Sequence, residues 1–234
     1  MKVAVLVDGS FFLKRYRLIH KNDVGFAKYD SASIASDLYT IVLDHVGPGN
    51  ELYRVLYYDC LPFDKAIINP ISGNTVDFSK TSEARFRTAL FEELKRMRKV
   101  ALRLGYLKDH KTWEFHPKVT KELLAKRKLL SQLSESDVTY SITQKGVDIR
   151  IGCDIAALSY KHLVDRIVLI SGDSDLVPAA KVARREGIDF ILDPIWNPID
   201  PSLLEHVDGI RSSGPRPAHA RTPGPGPVGS KYLP

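Results

Sequence analysis

Three aspartates follow apolar segments of the chain in a way that suits metal-ion chemistry. Asp8 ends the apolar run 3–7, and Asp173 and Asp175 come shortly after the apolar run 167–170. Runs of this length are typical of buried parallel strands, and open α/β sheets hold their active sites just beyond the carboxyl ends of such strands. We therefore expect the three carboxylates to meet at one edge of a sheet and to bind a hard cation through oxygen.

Two further aspartates lie on a segment with helical periodicity. Apolar residues recur at helical spacing from Val147 to Leu158, and Asp154 falls on the same inward face. Burial of an unpaired carboxylate costs several kcal/mol, so we expect Asp154 to meet an Arg or Lys, to cap a backbone group, or to line a cation site. Asp148 lies at the start of the same helix. There, capping and the helix dipole favour aspartate for structural reasons alone.

The elements that would position these residues alternate between strands and helices. The sequence predicts strands at 3–7, 52–58, 167–170 and 188–192, and helices at about 31–45, 82–104, 147–162 and 175–186. This alternation is typical of parallel strands joined by crossover helices. We predict an α/β fold, a three-layer α/β/α sandwich with a mainly parallel central sheet.

Two regions depart from this pattern. Residues 106–143 are predicted to form an insertion or cap, with a hairpin through Trp113 and a helix between Val119 and Leu133. Residues 212–234 are rich in Pro and Gly, carry basic residues, and lack the periodicity of a packed element, so they are predicted to be a disordered tail. The folded domain would then span residues 1–211.

Composition narrows the function classes. The net charge is +6, and Arg216, Arg221 and Lys231 of the tail supply +3 of it with no acid, leaving +3 for residues 1–211. This modest excess suits a polyanionic partner. The basic face of the predicted helix 82–104 fits either solvent or nucleic acid. No run approaches the roughly 18 apolar residues of a membrane span, so we expect a cytoplasmic protein without a membrane partner.

The cysteine count excludes two kinds of stabilising site. Cys60 and Cys153 are the two cysteines of the chain, too few for a disulfide framework and without the paired spacing of a zinc site. We expect both to be buried thiols.

Several enzyme classes with strand-end aspartates do not fit. An aspartyl-phosphatase of the haloacid dehalogenase type needs a second Asp two residues after Asp8, where this chain has Ser10, and another Asp four residues after Asp173, where it has Val177. No Gly-x-Gly-x-x-Gly follows the first strand, which argues against a dinucleotide enzyme. A phosphate-accepting signalling domain would not explain Asp154.

Three segments together resemble a known family. Residues 5–10 (VLVDGS), residues 145–148 (KGVD) with Asp154 six residues later, and residues 169–176 (LISGDSDL) are similar to the three signature segments of the NYN domain, of the LabA-like branch, in the PIN-like nuclease superfamily. They occur in the family's order. The resemblance implies a PIN-like, Rossmannoid sheet whose acidic cluster binds Mg²⁺ or Mn²⁺ and hydrolyses RNA. By position, it implies metal ligation by Asp8, Asp148, Asp154 and Asp173, with Asp175 as a fifth catalytic residue.

One departure concerns substrate contacts. Many members of the family have Asn where this chain has Ser10, although a hydroxyl can still contact a phosphate or a metal-bound water. We expect nucleic-acid contacts from hydroxyl and basic side chains near the site, which give affinity but little base selectivity: Ser10, Lys14, Arg15, Lys145 and Ser174. The aromatic residues near the first two strands, Phe11, Phe12, Tyr16 and Tyr58, fit core packing better than base stacking.

These observations predict a metal-dependent endoribonuclease, acting on single-stranded RNA and with single-stranded DNA left open as a second substrate. One ion, or two ions about 3.5–4 Å apart, would lower the pKa of a bound water and neutralise charge on the scissile phosphate. The alternative is a non-catalytic RNA-binding or assembly module that retains the carboxylates, because fold alone does not decide function. The sequence leaves the oligomeric state open, a homodimer included.

Overall fold

The computed structural model describes residues 1–21 and 30–217. Nine strands occupy β1 Lys2–Asp8, β2 Glu51–Cys60, β3 Ala66–Ile68, β4 Thr75–Asp77, β5 Val100–Phe115, β6 Val138–Lys145, β7 Arg166–Ile170, β8 Asp189–Asp193 and β9 Gly209–Ile210. Seven α-helices occupy α1 Gly9–His20, α2 Ser31–Val46, α3 Ser82–Arg96, α4 Pro117–Leu124, α5 Val147–Tyr160, α6 Val177–Arg185 and α7 Pro201–Glu205. Short 3₁₀ turns connect some of them, including one at Ser174–Leu176.

A mostly parallel seven-stranded sheet forms the centre of the fold. Its strand order is β6-β5-β2-β1-β7-β8-β9, and β1 pairs in parallel with both β2 and β7. The apolar run Val3–Val7 of β1 is fully buried, as expected for a central strand that is covered on both faces. Helices flank this sheet, which confirms the predicted α/β fold class.

The chain divides into two units by its internal contacts. The first unit contains residues 1–59, 89–105 and 146–234, and the second contains residues 60–88 and 106–145. The first unit holds strands β1, β2 and β7–β9 and helices α1, α2 and α5–α7, so it contains every predicted catalytic residue. Its core is made by aliphatic side chains from β1, β7 and β8 against the inward faces of α2 and α5.

The second unit has its own aromatic centre. Tyr140 of β6 lies against Phe63, Phe78 and Trp113, with ring centroids 5.3–5.8 Å apart, and such pairs add about 0.5–1.5 kcal/mol beyond area burial. The β3–β4 hairpin and the antiparallel pairing of β5 with β6 supply its backbone hydrogen bonds. Asp137 is held by the ammonium of Lys128 at 2.7 Å, and that contact, first among several, lowers the pKa of Asp137 to about 2.

Some predicted boundaries are wrong, and non-local pairing is the reason. The predicted helix 82–104 ends at Arg96, and residues 100–115 form β5 instead, with Val55 N–H donating to the Lys99 carbonyl at 2.8 Å. Trp113, predicted to lie in a hairpin, belongs to β5 and pairs with Tyr140 of β6, 27 residues further along the chain. The predicted helix between Val119 and Leu133 stops at Leu124.

The remaining differences are local. Helix α1 follows β1 directly and was not among the predicted helices. Cys60 is buried as predicted, whereas Cys153 is exposed on α5, so its predicted burial is wrong. Of the predicted tail, residues 218–234 lie outside the described residues. No helix in the described part of the chain is both long enough and apolar enough to cross a membrane.

Candidate active site

The register of the sheet brings strand-end carboxylates to one edge. Val7 of β1 pairs with Ile170 of β7, and on the other side Asp8 pairs with Tyr58 of β2. Asp8 therefore lies between the end of β2, which continues into Asp59, and the loop after β7, which carries Asp173. Adjacent strands are about 4.8 Å apart, so neighbouring strand ends place these side chains within electrostatic reach of one another.

Asp8 has two roles in the local structure. It is the last residue of β1 and the N-cap of α1, where its Oδ1 accepts a hydrogen bond from the Phe11 N–H at 3.1 Å. An N-cap aspartate satisfies a backbone donor that has no partner within the helix. The next residue must be small, because a Cβ on Gly9 would lie 2.6 Å from the ring of Tyr57.

Asp173 is fixed by its own loop. Its backbone N–H donates to the Ser171 hydroxyl at 3.2 Å, and its Oδ1 accepts from the Asp175 N–H at 2.9 Å at the start of the 3₁₀ turn. Gly172 lies under the ring of Phe11, where a Cβ would be 2.7 Å from Phe11 Cε2. The glycines beside Asp8 and Asp173 thus make room for aromatic rings of the protein itself.

Asp148 lies in the first turn of α5 and is exposed. The N-cap of this helix is Gly146, in a left-handed conformation with φ of 79°. The pKa of Asp148 is raised by partial burial and then by the negative charges of Asp173 and Asp175. The carboxylate of Asp148 therefore faces the loop after β7.

Burial and neighbouring carboxylates both affect the ionisation of Asp8. Burial is the largest cause that raises its pKa, the hydrogen bond from Phe11 N–H lowers it, and the charges of Asp148, Asp59 and Asp173 raise it further, to about 6. Asp59 is itself buried, with 1 % of its surface exposed. Like charges at this spacing disfavour joint ionisation, and a nearby cation would remove that penalty.

Asp154 has a different environment. Its Oδ2 accepts a hydrogen bond from the Tyr58 hydroxyl at 2.9 Å and lies 3.0 Å from Nε of Arg103, and its Oδ1 lies 3.3 Å from Nη2 of Arg103. This two-pronged guanidinium contact is one of the outcomes expected for an inward carboxylate. Arg103 was predicted to lie on the outer face of a helix, so this partner was missed. An alternating apolar pattern in residues 100–107 was the signal that could have placed it on a strand.

The donor set suits a hard divalent ion held by few protein ligands. Within residues 1–21 and 30–217, no three His, Cys, Asp or Glu side chains are close enough to form a ready coordination group. Mg²⁺ is usually bound through one or two carboxylates, with waters and substrate phosphates completing its shell. Burial, and after it the charges of neighbouring carboxylates, raise the pKa values of Asp8 and Asp148, and a bound cation would lower both values.

Comparison with known proteins gives the chain a family. The family model of the NYN domain matches residues 77–195, which is half of the chain. The chain belongs to the NYN domain family. A crystal structure of a protein of unknown function from Vibrio parahaemolyticus matches with a TM-score of 0.45 and 15 % sequence identity, covering 89 % of this chain and 90 % of that one. No curated protein matches.

The matched range of the NYN domain contains part of the candidate site. Asp148, Asp154, Asp173 and Asp175 fall within residues 77–195, whereas Asp8 precedes them and joins them through the pairing of β1 with β7. As a PIN-like nuclease family, NYN domains are generally hydrolases that act on nucleic acid.

The predicted nucleic-acid contacts of this NYN domain differ in their surroundings. Lys14 is exposed on α1, and Ser10 and Ser174 are half-buried beside Asp8 and Asp173. The guanidinium of Arg15 donates from Nε and Nη2 to the Ile195 carbonyl at 3.1 and 2.9 Å, and burial lowers its pKa. Arg15 therefore fixes a loop. Lys145 is exposed and belongs to the second unit.

A groove of about 320 Å³ opens beside the acidic edge, between α5 and α6. Asp148 and Asp175 lie in its wall, together with Ile149, Gly152 and Cys153. Its size is at the lower end of small-molecule sites, about 300–1,000 Å³. The groove therefore provides space next to the carboxylates for part of a ligand.

Three of the four aromatic residues near the first two strands are core residues, as predicted. Phe12, Tyr16 and Tyr58 are at most 3 % exposed. Burial and the nearby charge of Asp154 raise the pKa of Tyr58. The aromatic that sequence reasoning missed is Trp196, which follows β8.

Proposed function

We propose that this NYN domain is a Mg²⁺- or Mn²⁺-dependent endoribonuclease that hydrolyses phosphodiester bonds of single-stranded RNA in the cytoplasm. This proposal is supported by the parallel pairing of β1 with β7, which brings the ends of both strands to one edge of the sheet, and by the charges of Asp148 and Asp173, which contribute to the raised pKa of Asp8. We assign the chain to the LabA-like branch on its three signature segments, and propose a catalytic domain of residues 1–211 with an insertion at 106–143 and a tail at 212–234.

The individual carboxylates are proposed to have different roles, some in metal ligation and one in orienting water. Asp8 and Asp173 each use Oδ1 for a backbone hydrogen bond, so their Oδ2 atoms would be the metal ligands, with Asp148 as a third. A bound divalent ion would lower the pKa of a water and neutralise charge on the scissile phosphate. Asp175, exposed at the edge of the groove, would orient the attacking water and accept its proton.

Asp154 is proposed to act close to the site through its two partners. Its carboxylate holds the Tyr58 hydroxyl and the Arg103 guanidinium. It would ligate an ion directly only after releasing Arg103. In its present arrangement it orients Arg103, which is about half exposed and could contact a phosphate.

Substrate contacts are proposed for the exposed polar groups around the edge. Lys14 would pair with the backbone of the nucleic acid, and Ser10 and Ser174 would donate to phosphate oxygens. Arg15 would support the site through Ile195, and Lys145, next in sequence to the Gly146 N-cap of α5, is proposed as a further phosphate contact. Phosphate contacts of this kind distinguish RNA from single-stranded DNA only weakly, so DNA is a second substrate to be tested.

The test is cleavage of labelled single-stranded RNA with Mn²⁺ or Mg²⁺. We expect the wild-type protein to cut internally, EDTA to stop cleavage, and Asp8→Asn and Asp173→Asn each to lower the rate by at least about 100-fold, more than loss of a residue that only orients a ligand. Asp30→Asn is the matched control, since Asp30 also caps a helix through Oδ1, accepting from Ser33 N–H at 2.8 Å.

Three results would contradict the proposal. Cleavage that survives both substitutions, or that continues in EDTA, would exclude this site. Binding of RNA without cleavage under either metal would favour the non-catalytic binding module instead.

A further inference from the structure

The loop after β8 has an unusual backbone. Ile195 and Trp196 are consecutive non-glycine residues with positive φ, 43° and 57°. A β-branched residue rarely adopts this conformation. Such strain persists only where surrounding contacts impose it, and it concentrates at ligand sites.

Side chains from three elements impose this geometry. The Ile195 N–H donates to Asp193 Oδ1 at 2.7 Å, Arg15 donates twice to the Ile195 carbonyl, and the Trp196 N–H donates to the Ser212 hydroxyl at 3.0 Å. Asp193 is anchored in turn by His45 Nε2 at 2.7 Å, with both side chains buried. Among the described residues, the indole Nε1 of Trp196 has no hydrogen-bond partner. The backbone, not a bond from the indole, therefore places the ring.

This loop leaves the sheet at the same edge as the carboxylates. Asp193 pairs with Ile170, the last residue of β7, and the loop after β7 carries Asp173. Arg15, which holds Ile195, lies on the helix that begins after Asp8, seven residues or about 10 Å along it. Trp196 is thus tied to both strand ends that supply the proposed metal ligands.

A planar cation already stacks on the ring. The guanidinium of Arg216 lies over the Trp196 ring, 5.4 Å from its centroid, and Arg216 is exposed. A cation–π contact at an exposed position contributes about 2- to 5-fold to an equilibrium. A nucleobase stacked on an aromatic side chain contributes about 5- to 150-fold. An unpaired base therefore gains more from this ring than the guanidinium of Arg216 does.

We propose that Trp196 is a stacking platform for an unpaired base of a single-stranded nucleic acid, at the place where the Arg216 guanidinium lies. The inference rests on the proposed function, because that function brings a single strand to this edge. A stacked base holds the strand beside the carboxylates without reading its sequence, since every base has a π-face. Duplex nucleic acid, whose bases are stacked internally, does not use the platform.

Fluorescence of Trp196 tests this without requiring cleavage. The chain has two tryptophans, so Trp113→Phe leaves Trp196 as the reporter and does not disturb the strained loop. We expect saturable quenching by an oligouridylate or an oligothymidylate of about ten nucleotides, a length within known single-strand site sizes, in EDTA. A blunt RNA duplex of the same length should not quench. Absence of quenching by both single strands, or equal quenching by the duplex, would overturn the proposal.

A matched pair of variants measures the contribution of the ring. Trp196→Phe keeps an aromatic face and should bind the labelled oligouridylate nearly as well as wild type, whereas Trp196→Leu should bind about 5- to 150-fold more weakly than Trp196→Phe. Equal affinity of the two folded variants would refute stacking. If Trp196→Leu and Trp196→Phe bind equally well and both still cleave RNA, the stacking proposal is refuted and the nuclease proposal stands. If single strands quench Trp196 but no RNA is cleaved, the stacking proposal stands and the nuclease proposal is refuted.

Discussion

Replacement of Asp8 by Asn should stabilise the protein in the absence of metal, although it should abolish activity. Burial and the charges of Asp148, Asp59 and Asp173 raise the pKa of Asp8 from 3.8 to about 6. The folded state therefore binds this proton more tightly than the unfolded state. Asn keeps the cap on the Phe11 N–H, because Asn and Asp are about equally good N-cap residues, and it removes the charge.

The sign and size of this stability change follow from the linkage between protonation of Asp8 and folding. With a raised folded-state pKa, the ionised carboxylate destabilises the fold progressively as the pH rises from 3.8 to about 6. One pKa unit corresponds to 1.36 kcal/mol, so the penalty is about 1.5 kcal/mol at pH 5 and about 3 kcal/mol at pH 8. Loss of the negative charge from the N-terminus of α1 reduces the stability gained by about 0.3–1 kcal/mol. Asp8→Asn should thus raise the free energy of unfolding at pH 8 by about 2 kcal/mol or more.

Denaturant unfolding in EDTA at pH 5 and pH 8 measures this difference. Asp30→Asn is the control, because Asp30 caps α2 in the same way but is fully exposed, and its hydrogen bond from the Ser33 N–H lowers its pKa. That carboxylate stabilises the fold above its unfolded-state pKa, so Asp30→Asn should not stabilise the protein at pH 8. Addition of Mn²⁺ should then stabilise wild type by mass action and leave Asp8→Asn largely unchanged.

Two outcomes would refute this reasoning. If Asp8→Asn lowers stability at pH 8 as Asp30→Asn does, the carboxylates do not repel one another in the folded protein. If the gain is equal at pH 5 and pH 8, its cause is not the ionisation of Asp8.

Three further expectations follow from the contacts. In a double-mutant cycle measured by unfolding, Asp154→Asn and Arg103→Met should show a coupling energy of about 0.5–1 kcal/mol. If Asp154→Asn abolishes cleavage and Arg103→Met does not, Asp154 has a role beyond the ion pair. Gly172→Ala should cost about 1–3 kcal/mol by overpacking, whereas Gly152→Ala, with 3.9 Å to its nearest neighbour, should be neutral or stabilising in thermal unfolding. Asp193→Ala should cost on the order of 3 kcal/mol, because it leaves buried donors unpaired, and unfolding midpoints within error of wild type would contradict this.

Non-local contacts account for the errors in the predicted fold. Residues 100–104 have apolar spacing that continues the pattern of α3, yet the helix ends at Arg96, and after Lys99, with φ of 63°, the chain extends as β5. Hydrogen bonds to a distant strand decide this outcome, and the sequence window around Val100 does not contain the partner. For the same reason, local patterns did not predict the pairing of β5 with β6, whose paired residues are 23 (Phe115 and Val138) to 39 (Tyr106 and Lys145) positions apart.

The glycines beside the candidate ligands have a structural role that depends on residues distant in the chain. Gly9 and Gly172 adjoin strand-end acids, where a small residue also suits the approach of a phosphate. In the structure, Tyr57 and Phe11 lie against them. Space for a phosphate and space for an aromatic ring both require glycine at these positions, so only the packing in the tertiary structure distinguishes the two explanations.

The sequence by itself determined which strands are central and that the carboxylates following them lie at one edge of the sheet. Val3–Val7 and Ile167–Ile170 are continuously apolar, and only a strand covered on both faces buries such a run, so Asp8 and Asp173 had to meet at one edge. The tertiary structure alone decided that Arg103 and Tyr58 hold Asp154, that Arg15 holds the Ile195 carbonyl, and that Ile195 and Trp196 adopt positive φ. These contacts join residues far apart in the chain, and their distances depend on strand register and helix packing, which local periodicity does not encode.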